Sequence, residues 1–230
     1  MGFATGLKKI QEATAPKSNG EGFANRLKVD DGQQILFRII NEFDEDSKEY
    51  DEERGLAGVV EQHQSPSAWY KKAQCTMDEY GKCYACERSK HYWSIKDEKN
   101  AKAWRAKQRL YFNVIAKNED GEDTVYFYDV ATFRSPVYES LMEHFMDYGS
   151  VSNKLWKLKR KGGGQFDTTY TLTAQPEDKT PYDWPADLKP YALDDLVPYV
   201  PYEEQEAFYG ADTAEEPVED SSPVDENAWL

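Results

Sequence analysis

The chain has 230 residues, 31% of them charged, and a formal net charge of −15. Residues 183–230 hold fourteen carboxylates and only one cation, Lys189, so this segment carries −13 and the rest of the chain carries −2. This distribution excludes a uniformly basic nucleic-acid binder and indicates a nearly neutral body with a strongly acidic end. The length suits one medium domain with appendages.

Cysteine content and hydropathy restrict the location of the protein. The sequence has three cysteines and no window approaching the ~18 apolar residues of a membrane span. Residues 1–18 lack the charged start and apolar middle of a signal peptide. We therefore expect a cytosolic protein with no membrane association, in which the thiols serve metal binding or redox chemistry.

The first predicted elements are an arm and two strands. Residues 1–20 are expected to form a flexible N-terminal arm with at most one short helix, around Leu7–Ala13. The apolar content of Gln33–Phe43 predicts a strand, and the acidic stretch Asp44–Glu53 after it predicts a solvated loop. Gly55–His63 is predicted to be the neighbouring strand.

An irregular region follows, and then a hairpin. All three cysteines fall between residues 64 and 107, and this region ends in a predicted helix over Lys96–Lys107. Regular alternation returns in Arg109–Lys117 and Thr124–Thr132, and the Asp120-Gly121 pair between them is a hairpin turn signal. The irregular region is therefore interpreted as an insertion.

A helix, a second hairpin and an acidic end complete the chain. Ser135–Gly149 has a Ser N-cap, a Pro at the first helical position and a terminal Gly, which predicts a helix. Trp156–Lys161 and Asp167–Ala174 flank a triple-glycine turn and predict a hairpin. After it we expect a Pro-rich helical extension over 183–210, with short helices near Leu193–Tyr199 and Glu203–Tyr209. Residues 211–230 are expected to be a disordered acidic tail.

This order of elements predicts the fold class. Two strands, an insertion, a hairpin, a helix and a hairpin are the order found in an OB-fold. We expect a mainly β protein with few helices. Its core, over 21–182, is predicted to be a barrel of five or six strands with an inserted zinc-binding subdomain at about 61–107.

Four residues have the spacing of a metal site. His63, Cys75, Cys83 and Cys86 follow the pattern H-x11-C-x7-C-x2-C. One imidazole and three thiolates are the donors of a structural tetrahedral Zn²⁺ site, and the CxxC turn lets both sulfurs face one ion. His91 is the alternative fourth ligand; we favour His63 because it ends a predicted strand, which fixes its direction. One structural Zn²⁺ is expected.

Two basic runs are accompanied by aromatic residues. Arg88–Arg109 carries a net charge of +6, and Lys154–Lys161 contains five cations and no acid. Cations that follow phosphates, beside rings that stack on bases, favour binding of single-stranded DNA. The predicted DNA-binding residues are Trp93, Arg105, Lys107, Arg109, Tyr111, Tyr126, Tyr128, Lys157, Lys159, Arg160 and Lys161.

Alternation within the strands suggests where bases would stack. Phe112 is expected in the core, and Tyr111, on the other face of its strand, is expected to face ligand. Tyr126 and Tyr128 share one face of the next strand. We interpret them as a base-stacking platform next to Tyr111.

The acidic tail ends in an apolar tip, Ala228 to Leu230. Such a tip suits a peptide that docks on partner proteins while its carboxylates compete with DNA for the basic groove. The predicted partner-binding residues are Asp225, Glu226, Trp229 and Leu230. Signatures of phosphate-binding loops, zinc proteases and serine hydrolases are absent, so no enzyme activity is expected.

Several stretches resemble one known family, the single-stranded DNA-binding (helix-destabilising) proteins of T-even and related tailed phages. The resemblance runs from about Leu27 to Ala174. It is carried by QQILFRI after LKVDDG, by His63 followed by CTMDEYGKCYACE, by YFNVIAKNEDGEDTVYFYDVATFRSPVYESL, and by LWKLKRKGGGQFDTTYTLT.

The resemblance implies an OB-fold with a zinc subdomain, His63, Cys75, Cys83 and Cys86 as zinc ligands, and single-stranded DNA held in a basic cleft. It also implies a protein that coats and protects DNA in phage replication, recombination and repair, in the cytoplasm of a bacterial host. It would act as a monomer or a cooperative filament. Its tail would recruit replication proteins such as polymerase, helicase or primase, and recombination factors. The alternatives are a zinc-containing nuclease and a zinc-ribbon transcription factor.

Overall fold

The computed structural model describes residues 24–68, 70–164, 167–176, 182, 184–185 and 189–210. Two compact units divide these residues: unit 1 contains 60–107 and 197–210, and unit 2 contains 24–59 and the described part of 108–196. The expected N-terminal arm over 1–20, with its helix at Leu7–Ala13, and the tail residues Asp225, Glu226, Trp229 and Leu230 lie outside the described residues.

Seven strands form one mainly antiparallel sheet, and a few short helices accompany it. The strands are β1 (Gln34–Ile39), β2 (Gly58–Gln64), β3 (Lys72–Gln74), β4 (Lys107–Lys117), β5 (Asp123–Ala131), β6 (Leu155–Lys161) and β7 (Thr169–Ala174). The helices are α1 (Met77–Tyr80), α2 (Tyr84–Ser94), α3 (Glu98–Ala103), α4 (Pro136–Tyr148) and α5 (Tyr202–Tyr209), with a 3-10 turn at Leu193–Leu196.

In unit 2 the strands lie in the order β5-β4-β1-β6-β7. The β4–β5 hairpin turns at Gly121, whose φ of 80° is accessible to glycine. The side chain of Asn118 accepts hydrogen bonds from the backbone of Asp120 and Glu122 across this turn. The hairpin that the Asp120-Gly121 pair predicts is therefore confirmed.

Unit 2 has a large apolar core on one face of this sheet. Phe112, Trp156 and Leu158 are almost fully buried there. Helix α4 covers this core with Val137 and Leu141. Its ends follow the sequence prediction: the Ser135 side chain accepts from the Tyr138 N–H at 3.3 Å, and Gly149 ends the helix in the left-handed conformation.

The prediction of a mainly β fold is confirmed, but the predicted closure of five or six strands into a barrel is not found. Among the described residues, six strands pair along an open path, and β5 pairs with β4 beside that path. Closure requires the two outermost strands to find each other's hydrogen-bonding groups. β7 pairs with β6 alone in the described part of the chain, and the three-residue β3, which the sequence pattern did not predict, adds a strand beside β2.

Candidate metal centre and basic sheet face

The four predicted metal ligands lie in unit 1, in or next to β2, β3 and α2. His63 lies in β2 and pairs with Ala73 of β3, so that Cys75, just past the end of β3, returns close to the imidazole. Cys83 is the N-cap residue of α2, and Cys86 lies in the first turn of that helix. The β2–β3 hairpin therefore positions His63 and Cys75, and the start of α2 positions Cys83 and Cys86.

The ligand atoms of these four residues all lie within 4.8 Å of one another. Cys75 Sγ is 3.6 Å from Cys86 Sγ, and Cys86 Sγ is 3.4 Å from His63 Nε2. Tetrahedral Zn²⁺ with its usual bond lengths places S and S about 3.8 Å apart and S and N about 3.6 Å apart. The group therefore fits a metal ion of this size, and the three thiols are not joined by a disulfide.

His91, the alternative fourth ligand, is exposed on α2 and does not belong to this group. His63 is fully buried, and Trp104 fixes its ring. The Nδ1–H of His63 donates to the carbonyl oxygen of Trp104 at 2.8 Å, which leaves Nε2 facing the Cys86 sulfur as the ring atom that can bind a metal. This is the second hydrogen bond that metal-binding histidines usually make.

The electrostatics of the group favour a cation among the sulfurs. Burial by itself lowers the pKa of His63, but hydrogen bonds and charge interactions with Cys75 and Cys83 outweigh it and raise that pKa to about 9. Hydrogen bonds from Cys75 and Cys86 lower the pKa of Cys83, whereas the other two cysteines raise the pKa of Cys86. Crowded thiols cannot all ionise alone, and a bound metal ion removes this conflict.

The sequence reasoning missed the layer of residues around these ligands. Residues 197–210 belong to unit 1, and Val200, Phe208 and Tyr209 are buried in one cluster with Cys83 and Trp104. The ring of Tyr209 packs edge-on against Trp104, with 5.6 Å between ring centroids. The Pro-rich composition of this segment carries no signal for that packing.

The basic residues of β6 divide between the two faces of the unit 2 sheet. Lys157, Lys159 and Lys161 alternate with the buried Trp156 and Leu158 and lie on the solvent face, with Lys157 half-buried. Arg160 lies on the core side, where its guanidinium donates to the carbonyl of Val29 at 3.2 Å. Three of the four predicted contacts on β6 therefore share one face.

The predicted tyrosine platform is wrong in its geometry, because the register of β4 and β5 separates its members. Tyr128 lies opposite Phe112 and is 7% exposed, and Tyr126 is half-buried on that same core face. Tyr111 lies on the other face, where it is buried rather than open to a ligand, and it stacks on Phe127 with 6.3 Å between ring centroids. Alternation indicates which residues share a face but not which face becomes the core.

The other predicted DNA contacts have different surroundings. Arg109 is buried, with its Nε 2.5 Å from a carboxylate oxygen of Asp129, and Arg26 contacts the second oxygen of Asp129. In unit 1, Arg105 and Trp93 are exposed and Lys107 is half-buried. Arg109 thus shares the carboxylate of Asp129 with Arg26 inside unit 2, whereas Arg105 and Trp93 are accessible.

No protein-family model and no curated protein sequence matches this chain. Within the part of the chain that the structure describes, no helix is long and apolar enough to cross a bilayer. Fold and site together define a mainly β protein with a His/Cys group that can hold one metal ion.

Proposed function

We propose that this chain is a non-catalytic, sequence-nonspecific binding protein for single-stranded DNA. One observation carries the proposal. In a chain with a net charge of −15, the neighbouring strands β1, β6 and β7 contain no acidic residue at all. They contain five cations: Arg38, Lys157, Lys159, Arg160 and Lys161.

The three lysines of β6 form a regular row. Each faces a threonine of β7 directly across the ladder: Lys157 pairs with Thr173, Lys159 with Thr171 and Lys161 with Thr169. The row repeats about every 6.8 Å, which is the rise of two residues in an antiparallel strand. Ammonium groups and hydroxyls in such a row can bind successive phosphates without reading a sequence.

Apolar and aromatic surface lies beside this row on β1. Leu36 pairs with Lys157 and is 47% exposed. The guanidinium of Arg38 lies 4.5 Å from the ring centroid of Tyr182. Bases of a single strand stack on such surfaces, whereas the bases of a duplex are already stacked and paired. The combination favours single strands.

The metal in this proposal is one structural Zn²⁺. Three thiolates and one imidazole are the donors that zinc takes in structural sites. Four protein ligands would fill the coordination shell of the ion and leave no open position for a substrate, as in structural sites. The ion would hold the two ligand pairs of unit 1 together and supply no catalysis.

The finer identity is proposed on the resemblance described above. The order of zinc loop, hairpin, helix and Lys-rich hairpin supports an OB-fold protein of the T-even phage single-strand-binding type. Such a protein would act in the bacterial host cytoplasm, with its acidic end recruiting replication proteins.

The test is binding of a fluorescent oligo-dT and of the matching duplex, with metal content measured on the same sample. Changing Lys157, Lys159 and Lys161 together to Glu should weaken oligo-dT binding at least tenfold, because three phosphate contacts are lost. The matched control changes the exposed Lys28, Lys48 and Lys189 to Glu, which alters the net charge equally and should have a much smaller effect.

Equal losses in the two triple variants would contradict the proposed face. Equal or tighter binding of the duplex would contradict the proposed function and support a zinc-ribbon transcription factor instead. Metal-dependent cleavage of the oligonucleotide would support the nuclease.

A further inference from the structure

Helix α5 lies against the metal centre through one buried amide side chain. Gln205 is fully buried and uses both ends of its amide. Its Nε2 donates to Thr76 Oγ1 at 3.0 Å and to the carbonyl of Val200 at 2.9 Å. Its Oε1 accepts from the backbone N–H of Tyr84 at 2.9 Å.

Two of these partners are chain neighbours of the ligands. Thr76 directly follows Cys75, and Tyr84 directly follows Cys83. Thr76 Oγ1 also donates to the carbonyl of Lys82, the residue before Cys83, at 2.5 Å. Gln205 and Thr76 therefore connect the Cys75 turn to the Cys83 turn, although the amide comes from a segment more than a hundred residues away.

Two further contacts bring α5 to the remaining ligands. The Tyr202 hydroxyl donates to Glu87, the residue after Cys86, at 2.8 Å. At the other end of the helix, Ser65 Oγ donates to the carbonyl of Tyr209 at 2.9 Å, and the Tyr209 ring packs on Trp104, whose carbonyl holds His63. Each ligand thus has a neighbour or a hydrogen-bond partner that contacts α5.

We propose that α5 is the outer layer of the metal centre and that Gln205 is a positioning residue, so that metal affinity and the anchoring of α5 depend on each other. The proposal rests on the metal site of the proposed function. Residues around a metal's ligands orient them and usually change affinity 10- to 100-fold when removed. Linkage is reciprocal, so loss of the metal must weaken the anchoring of α5 by the same factor.

This coupling has a consequence for the acidic end of the chain. Residues 211–230 follow α5 directly in the sequence and hold seven carboxylates and no cation. Their point of attachment to unit 1 is the C-terminal end of α5. Metal occupancy would therefore determine how firmly α5, the element that precedes the acidic segment in the chain, is anchored in unit 1.

The first experiment measures metal affinity in the full chain by competition with a chromophoric chelator. Gln205→Leu removes the amide while keeping a buried side chain of similar size, and should weaken Zn²⁺ binding by about tenfold or more. It should also shift the visible absorption bands of the Co²⁺-loaded protein, because the two cysteine turns lose their connection. Gln33→Leu, at an exposed glutamine of unit 2, is the matched control and should change neither value.

The second experiment needs no variant and covers the case in which Gln205→Leu does not fold. Hydrogen exchange of the wild-type chain is compared with and without a chelator. Amides of α5 and of its C-cap residue Gly210, whose N–H donates to the carbonyl of Glu206, should exchange at least tenfold faster without metal, whereas β6 should be unaffected.

The outcomes separate the two proposals. Wild-type protein that binds no metal overturns the metal site and the coupling with it. Wild-type protein that binds metal while Gln205→Leu retains the same affinity and Co²⁺ spectrum overturns the coupling alone. Exchange in α5 that is insensitive to the chelator likewise overturns the coupling.

Discussion

Each of the two units of this chain is stabilised in a different way. Unit 2 buries sixteen described apolar residues in one cluster, among them Phe112, Leu141 and Trp156. The corresponding cluster of unit 1 has seven, and one of them is the ligand Cys83. A body of about sixty residues is marginal on apolar burial alone. We therefore expect the stability of unit 1 to depend on metal binding and buried hydrogen bonds, and that of unit 2 to depend on its apolar core.

Removing one metal ligand should have the largest effect on stability, and this effect should be confined to unit 1. Cys83→Ser removes a buried ligand from a site whose metal would supply much of the folding free energy of unit 1, since metal binding contributes about 10–16 kcal/mol in small zinc domains. Metal content should fall to zero, and amides of α2 and α5 should lose protection from hydrogen exchange while β6 and β7 keep it. His91→Ala, at the exposed histidine outside the site, should retain the metal. Full protection of α2 in metal-free Cys83→Ser would show that unit 1 has no need of the ion.

The opposite test perturbs the core of unit 2. Phe112→Ala leaves a cavity beside Tyr128 and should lower the free energy of unfolding of unit 2 by about 3–5 kcal/mol. Zn²⁺ affinity should stay within twofold, because the ligands lie in unit 1. Chemical denaturation followed by Trp fluorescence, together with chelator competition, measures both. A loss of metal affinity equal to that of a ligand variant would contradict the division.

A smaller effect is expected at a buried carboxylate of unit 2. Glu42 is almost fully buried and accepts hydrogen bonds from the hydroxyls of Ser150 and Ser152 and from the backbone N–H groups of Val151 and Ser152. Glu42→Gln places an amide N–H against donors and should lower the free energy of unfolding by about 2 kcal/mol. Glu53→Gln, at an exposed site, is the control, and thermal unfolding gives the comparison. Equal stability of the two variants would show that the hydrogen bonds to Glu42 do not contribute to the free energy of unfolding.

The smallest predicted effect concerns the acidic end. Deleting residues 211–230 removes seven carboxylates and should raise oligo-dT affinity severalfold at low salt, because the competing charges are lost. Anisotropy titrations of the full and shortened chains at two salt concentrations measure the change in affinity. An unchanged affinity would exclude competition between the acidic end and DNA.

Features that depend only on residues close together in the sequence were predictable. The ligand spacing predicted the group of His63 and three cysteines, because a CxxC turn and a strand end have defined geometries. Ser135 and Gly149 predicted the ends of α4 because capping involves only neighbouring residues.

Features that depend on distant contacts were not predictable. Nothing in residues 197–210 shows that Gln205 lies beside Thr76, because that contact spans 129 residues. The burial of Tyr128 was missed because both faces of β5 carry aromatic residues. The predicted closure into a barrel was wrong because closure depends on pairing between strands that are far apart in the chain.

The most direct test of the account is the salt dependence of oligo-dT binding for wild type and for the triple variant with Glu at 157, 159 and 161. Loss of three phosphate contacts should reduce the slope of log affinity against log salt by about 2, since single strands contribute about 0.7 per phosphate. The control with Glu at 28, 48 and 189 should keep the wild-type slope. Identical slopes in all three proteins would show that the lysine row of unit 2 does not touch DNA.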